Sequence, residues 1–261
     1  MTARTSPVLG MLIVTLFLAG NLALAQGDLN SLNKRATYYC ARGRYLEAEP
    51  LVKQTLSPAM ANDLATDPLY KAIQLFSYGG VEFGLRHYVN SQAAYAQGLK
   101  ETLRSPGRES EKLIGDIYRQ LGSVALERAD LSAASTYYQK ALQIHTKLFG
   151  QSNPESAFDW LGVGATYARQ RAFSQAEAAL KQNIAMTEQA FGKEGTALVA
   201  SCETMASVLK QTNRAAEAKQ WEMRAQAIRA RHSPWDQESR KAVIDRQYWI
   251  FPENPFFPTF N

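Results

Sequence analysis

The sequence predicts an all-α solenoid: five helical hairpins stacked in series. Three observations carry this reading. A self-similar pattern returns every 42 or 43 residues, apolar positions recur three and four apart within each copy, and small residues recur where two helices must touch. One such hairpin cannot bury its apolar stripe alone, so stacking is what gives the chain a continuous core. Two helix ends show the repeat plainly. The stretch ALQIHTKLFGQ from Ala141 to Gln151 and the stretch NIAMTEQAFGK from Asn183 to Lys193 share one outline, stopping at Phe149-Gly150 and Phe191-Gly192. Gly150 and Gly192 are expected as C-caps, because glycine enters the left-handed region without a Cβ penalty.

Residues 1–25 read as a secretory signal peptide. Arg4 stands in a short leading region, an apolar run follows from Val8, and Ala23-Leu24-Ala25 closes it as an A-x-A-like cleavage site. An uncleaved anchor is the other reading of this run, with close to the ~20 apolar residues a span needs; the small residues at its end favour removal. No cysteine follows the run, which argues against a lipoprotein anchor, and no later run is long and apolar enough to span a bilayer.

The repeat domain is placed at 26–232, with copies starting near Leu29, Ala72, Gly115, Ala157 and Val199. In the third copy Leu121, Gly122 and Ala125 belong to one helix, and Leu131, Ala134, Tyr138, Ala141 and Leu142 to the next. Forty-two residues on stand Val163, Gly164, Tyr167, Phe173, Ala176, Leu180, Asn183 and Ile184. Ala36, Gly79, Gly122, Gly164 and Ala206 are the close-contact positions of the first helices; Ala48, Ser91, Ala134, Ala176 and Ala218 are those of the second. Short polar turns beginning at Ala41, Glu127, Arg169 and Gln211 join the pairs. Residues 57–68, bounded by Pro58 and Pro68, and residues 104–110 are breaks. Residues 233–247 are expected to form a capping helix with Asp236 as its N-cap. Residues 248–261 cannot be helical through Pro252, Pro255 and Pro258. Three readings of that aromatic tail stand: rings packed on the last hairpin, a docking segment for a partner, or a disordered end.

Leu121-Gly122, Ala125, Leu131, Ala134, Tyr138 and Ala141 resemble the small-and-large signature of the tetratricopeptide repeat, as do Tyr39, Gly43, Tyr45 and Ala48. That family's unit is about 34 residues. The longer period here, with LFGQSNPES after a second helix, looks like the long-repeat variety of kinesin light chains, over residues 29–230. The chain departs from the pattern in lacking proline at the end of most second helices, and in Glu82 where a large apolar residue is usual. HEAT-type repeats share the period range and stand as the alternative.

The resemblance implies a right-handed solenoid whose first helices line a concave groove that receives an extended peptide or a partner helix. Matching phase puts Asn33, Thr37, Phe76, Phe83, Arg119, Glu127, Leu161, Arg169, Glu203 and Lys210 on that surface. Phe76, Phe83 and Leu161 would offer apolar contact. Arg119, Arg169 and Lys210 would grip carboxylates or backbone carbonyls. The Lys/Asn clamp of the family's chaperone-binding members is not recognisable in these residues.

Nothing in the sequence converges on catalysis. His87, His145 and His232 fall in different copies or at the end, none in a metal-ligand spacing. There is no G-x-S-x-G elbow. LGVGAT at Leu161 lacks the P-loop lysine, so its glycines read as packing positions. No catalytic residue, metal centre or cofactor is expected. The formal net charge is +5, one unit less without Arg4, and no basic stripe suggests nucleic acid. RAQAIRARH from Arg224 reads as a solvated helix end complementing the dipole. Cys40 and Cys202 lie four copies apart, whereas a disulfide needs Cα atoms within about 7 Å; both are expected as free, partly buried thiols. The function expected is a non-catalytic protein–protein interaction scaffold. It would be exported, periplasmic or secreted, with a protein or peptide segment as partner and no stable membrane span once the leader is removed. The alternative is a structural or assembly subunit of an envelope or secretion complex that uses its outer faces and tail. An enzyme with a site built between repeats is the third reading.

Overall fold

Turns of one geometry set the architecture. The computed structural model of the chain describes residues 31–56 and 67–231. Within them, five turns each place one residue in the left-handed region: Gly43 (φ 68°), Arg86 (62°), Ala129 (60°), Arg171 (61°) and Asn213 (61°). The N–H of the following residue then reaches back to a carbonyl five residues earlier. Arg44 bonds Tyr39 at 2.9 Å, His87 bonds Glu82 at 2.8 Å, and Asp130, Ala172 and Arg214 bond Ala125, Tyr167 and Leu209 at 2.9 Å each. This is a Schellman closure, which satisfies the last carbonyls of one helix and reverses the chain into the next. Glycine occupies the left-handed position only at Gly43. The other four turns hold a Cβ there, at a cost of about 1–2 kcal/mol each.

The helices between these turns are α1 (31–40), α2 (Tyr45–Thr55), α3 (Pro68–Gly84), α4 (Tyr88–Thr102), α5 (Arg108–Glu127), α6 (Leu131–Phe149), α7 (Pro154–Arg169), α8 (Phe173–Phe191), α9 (Leu198–Gln211) and α10 (Ala215–Arg231). Several carry their own start signals. Asp67 accepts from Leu69 N–H ahead of Pro68, Asp130 accepts from Ala133 N–H, and Asn153 accepts from Ser156 N–H ahead of Pro154. Gly150 and Gly192 end α6 and α8 at φ 83° and 80°, as the two alike helix ends predict.

From α3 onward each odd helix pairs with the even one that follows, and each hairpin packs on the next, while α1 and α2 share a core of Leu32, Ala36, Cys40, Leu51 and Val52. Beyond that, α3 touches α5, α5 touches α7, and α7 touches α9; among the described residues no two even helices meet to that extent. The odd helices therefore crowd one side of the stack and the even helices splay on the other, which is an all-α solenoid with an inner, odd-helix face. The close-contact positions work as predicted. A Cβ on Gly79 would stand 2.6 Å from a ring carbon of Tyr95, and one on Gly122 would stand 3.0 Å from the ring of Tyr138. Tyr95 and Tyr138 are both fully buried, one hairpin apart, and Tyr138 also lies flat against Gly162. Each glycine thus leaves room for an aromatic ring whose burial stabilises the pair by about 1.5–3 kcal/mol.

Glu82, the departure from an apolar pattern, is buried but served: Asn90 donates to it at 2.8 Å and His87 Nδ1 lies 3.1 Å away. Cys40 and Cys202 are free and buried. The leader, most of the loop at 57–68, the capping helix with Asp236 and the aromatic tail lie outside the described residues. No helix among the described residues is long and apolar enough to cross a membrane.

Candidate interaction site on the inner face

The ten residues assigned to the inner face divide by depth. Thr37, Phe83, Glu127, Arg169, Glu203 and Lys210 reach the surface. Asn33, Phe76 and Leu161 do not: they are 8%, 6% and 1% exposed, and are corrected to core positions. The physical reason is crowding. An odd helix in mid-stack meets its hairpin partner and the odd helices on either side, so only a narrow strip stays open. Phe76 packs its ring 5.7 Å from that of Tyr95, and Leu161 joins the core that α7 forms with α8, α9 and α10.

The open strip carries its own contacts. Phe83 lies 5.6 Å, ring to ring, from Tyr88. Tyr88 O–H donates to Glu127 at 3.4 Å, and Arg169 reaches Glu127 at 3.3 Å and the Leu126 carbonyl at 3.1 Å. A polar line thus crosses three successive hairpins. Farther along, Glu203 pairs with Arg229 at 2.7 Å and Lys210 pairs with Glu222. Burial raises the Glu203 carboxyl despite the opposing Arg229. Thr37 donates to the Asn33 carbonyl of its own helix at 2.9 Å.

Arg119 reaches inward instead. It is held in a charged joint between the third and fourth hairpins, whose members no catalytic or metal motif of the sequence links. From α5 come Lys112, Asp116 and Arg119; from α6, His145; from α7, Glu155 and Asp159. Lys112 meets Asp116 at 2.7 Å and Glu155 at 3.4 Å. Arg119 bonds Asp116 and meets Glu155 at 3.0 Å, with Asp159 at 3.8 Å. His145 Nδ1 lies 2.6 Å from Asp159, and Nε2 lies 3.5 Å from Asp116. Three cations then face three carboxylates when His145 carries its proton.

The environment shifts these groups in opposed directions. Burial works against the charge of Asp116 and Glu155, yet Arg119 outweighs it and holds both carboxyls below their ordinary range. Burial also works against a charged His145, but the Asp116 and Asp159 carboxylates raise its pKa above the usual 6.5. Burial keeps the Asp159 carboxyl above its ordinary value even with His145 and Arg119 beside it.

Asp116, His145 and Glu155 bring three possible metal-ligand atoms within 4.8 Å of one another. The donor chemistry does not fit an ion well. Lys112 and Arg119 already supply the positive charge. His145 Nε2 is pressed against the α5 backbone, where a Cβ on Gly115 would stand 2.5 Å from it. The joint is a salt-bridge network whose cations come from the protein itself. The sequence holds one signal for it: Lys112, Asp116 and Arg119 stand four and three apart, and Glu155 and Asp159 four apart, so charges recur at the period of a buried helical stripe. The cysteines offer no chemistry either. Burial pushes the Cys40 thiol up to about 12 and the Cys202 thiol up to about 11, which keeps both protonated and unreactive.

Comparison with known proteins agrees with this geometry. Tetratricopeptide-repeat family models match residues 113–189 and residues 29–57. Among solved structures, BtubC (BKLC) from P. vanneervenii superposes with a TM-score of 0.61 at 17% identity, covering 84% of this chain and 93% of that one. A Podosopora anserina protein of nearly identical TPR-like repeats, named for kinesin light chain, gives 0.59 at 16% identity, covering 78% and 95%. At these identities the likeness is one of fold. No curated protein matches the chain.

Proposed function

We propose that this tetratricopeptide-repeat protein is a non-catalytic scaffold that holds an extended or helical segment of another protein against the inner face formed by α1, α3, α5, α7 and α9. The observation that carries the proposal is the contact of α3 with α5, of α5 with α7 and of α7 with α9, which sets their open strips side by side. Phe83 offers that surface an apolar anchor, and the partly open Gly80 and Ala168 carry little side chain beside it. Arg169 and Glu127 form an exposed pair of the kind worth about 0–1 kcal/mol. A ligand carboxylate can take over such an arginine at little cost and gain a two-pronged bond.

Site-specific photo-crosslinking tests this. A crosslinking residue placed at Phe83 or Lys210 is expected to trap one and the same partner, and one placed at Gln139, on the exposed side of α6, is expected to trap none. Trapping from Gln139 alone would transfer the function to the outer face. Deleting residues 248–261 separates this reading from docking through the tail: capture at Phe83 survives if the inner face is the binding surface. Export belongs to the same proposal, supported by Arg4, the apolar run from Val8 and the small residues at Ala23 and Ala25. N-terminal sequencing of the mature chain is expected to begin at Gln26.

A further inference from the structure

The five hairpin turns close the same end of every odd helix, so they form one long edge of the solenoid. Their residues, 41–44, 84–87, 127–130, 169–172 and 211–214, include seven arginines and no lysine. Three of the seven are neutralised in place: Arg44 pairs with Glu47 at 2.8 Å, Arg169 with Glu127 at 3.3 Å, and Arg214 with Glu177 at 2.7 Å. The other four, Arg42, Arg86, Arg128 and Arg171, are exposed and face no carboxylate. Arg42 lies over the Tyr38 ring at 3.6 Å, and Arg128 donates to the side chain of Gln92. Away from this edge the described arginines behave differently. Arg104, Arg119, Arg224, Arg229 and Arg231 all pair with acids, and only Arg35 and Arg108 do not.

One unpaired guanidinium per turn across the first four hairpins makes a row with the spacing of packed helices, about 8–10 Å. An extended peptide rises about 3.3 Å per residue, so carboxylates three residues apart match that row. Apolar surface flanks its start. Leu46 and Val89, the second residues of α2 and α4, are 73% and 70% exposed, and Tyr38 is 44% exposed. The equivalent positions of the later hairpins are Ser132, Ser174 and Ala216.

We propose that this turn edge is a second binding surface, meeting the inner face at Glu127 and Arg169 and read through the exposed arginines beyond them. Its occupant would be an extended acidic protein segment with carboxylates at about every third residue and an apolar side chain seated near Leu46 and Val89. The choice of arginine fits, since its planar fork grips a carboxylate with two parallel bonds where lysine offers a point charge. A membrane surface fits less well. It presents a plane of charge to what is a single row.

The test uses the full chain and a short fluorescent poly-glutamate peptide, with affinity read by anisotropy at low and moderate salt. The triple variant Arg86→Ala, Arg128→Ala, Arg171→Ala is expected to bind at least about tenfold more weakly with unchanged helical dichroism. The corresponding triple lysine variant is expected to fall between the two, and it stands in should the alanine variant fail to fold. The double variant Arg35→Ala, Arg108→Ala, which removes unpaired arginines off the edge, is expected to bind like the parent. Undiminished binding by the triple alanine variant, or an equal loss in the off-edge variant, overturns the proposal. So does a parent chain that ignores poly-glutamate and binds phosphatidylserine vesicles instead.

Discussion

The joint between the third and fourth hairpins and the joint between the fourth and fifth share one backbone plan and hold different chemistry. The first holds Asp116, Arg119, His145 and Asp159. Forty-two residues later the equivalent positions are Phe158, Leu161, Thr187 and Ser201. Here Leu161, Thr187 and Ser201 are buried, and Asn183 donates to the Ala157 carbonyl at 2.8 Å. Small residues and left-handed turns fix the frame, and they leave the positions between hairpins free to be ionic or apolar. The two choices differ in what they respond to. Apolar burial stabilises regardless of pH, whereas buried charges cost desolvation and persist only while every partner is present.

The largest expected effect comes from removing one partner of the ionic joint. Arg119→Met leaves Asp116 and Glu155 short of a cation, and is expected to cost about 3–5 kcal/mol in chemical denaturation. Leu161→Ala in the apolar joint is expected to cost a similar amount, about 2–5 kcal/mol. Only the first loss should shrink when the carboxylates are protonated in acid; equal pH dependence in both variants would break the contrast.

Next comes pH itself. His145 has its pKa raised on folding, so the stability it contributes is fully present below the ordinary value of 6.5 and is lost as pH rises through the folded value. Asp116 and Glu155 are lowered, so their contribution is present above the ordinary carboxyl range and is lost as pH falls through their folded values. Stability from this joint is therefore expected to be greatest in mildly acidic solution and to decline as pH rises above the ordinary histidine value of 6.5. His145→Gln should flatten that decline in denaturant midpoints measured across the range. A decline that survives the substitution would assign it to other groups.

The smallest effect concerns the shared frame. Ala129→Gly and Arg171→Gly relieve a left-handed Cβ in the turns on either side of the ionic joint, and each is expected to stabilise by about 0.5–1 kcal/mol in thermal melts. Equal gains would show that the turns are one device. A gain at only one of them would mean that its side chain contributes something the other does not.

Most of the frame was legible in the sequence, because it rests on local rules. Gly150 and Gly192 announce helix ends, and Gly79 and Gly122 mark close-contact positions on which the rings of Tyr95 and Tyr138 pack. The left-handed turn residues were less legible, since Arg86 and Arg171 carry no glycine signal. The depth of the residues assigned to the inner face was not legible. Periodicity gives the side of a helix on which Phe76 and Leu161 stand, but not how closely the next odd helix approaches it. The ionic joint escaped because its members come from three helices, and because each charge read singly looks like a solvated surface residue. Residues 57–66 and 232–261, which include the predicted capping helix and tail, lie outside the described residues.

Hydrogen exchange of the full chain, alone and with the partner trapped at Phe83, measures most directly whether the odd-helix side is the working surface. Added protection is expected along the C-terminal halves of α3, α5 and α7, with α4, α6 and α8 unchanged. Protection gained on the even helices, or on none, would contradict binding at the inner face.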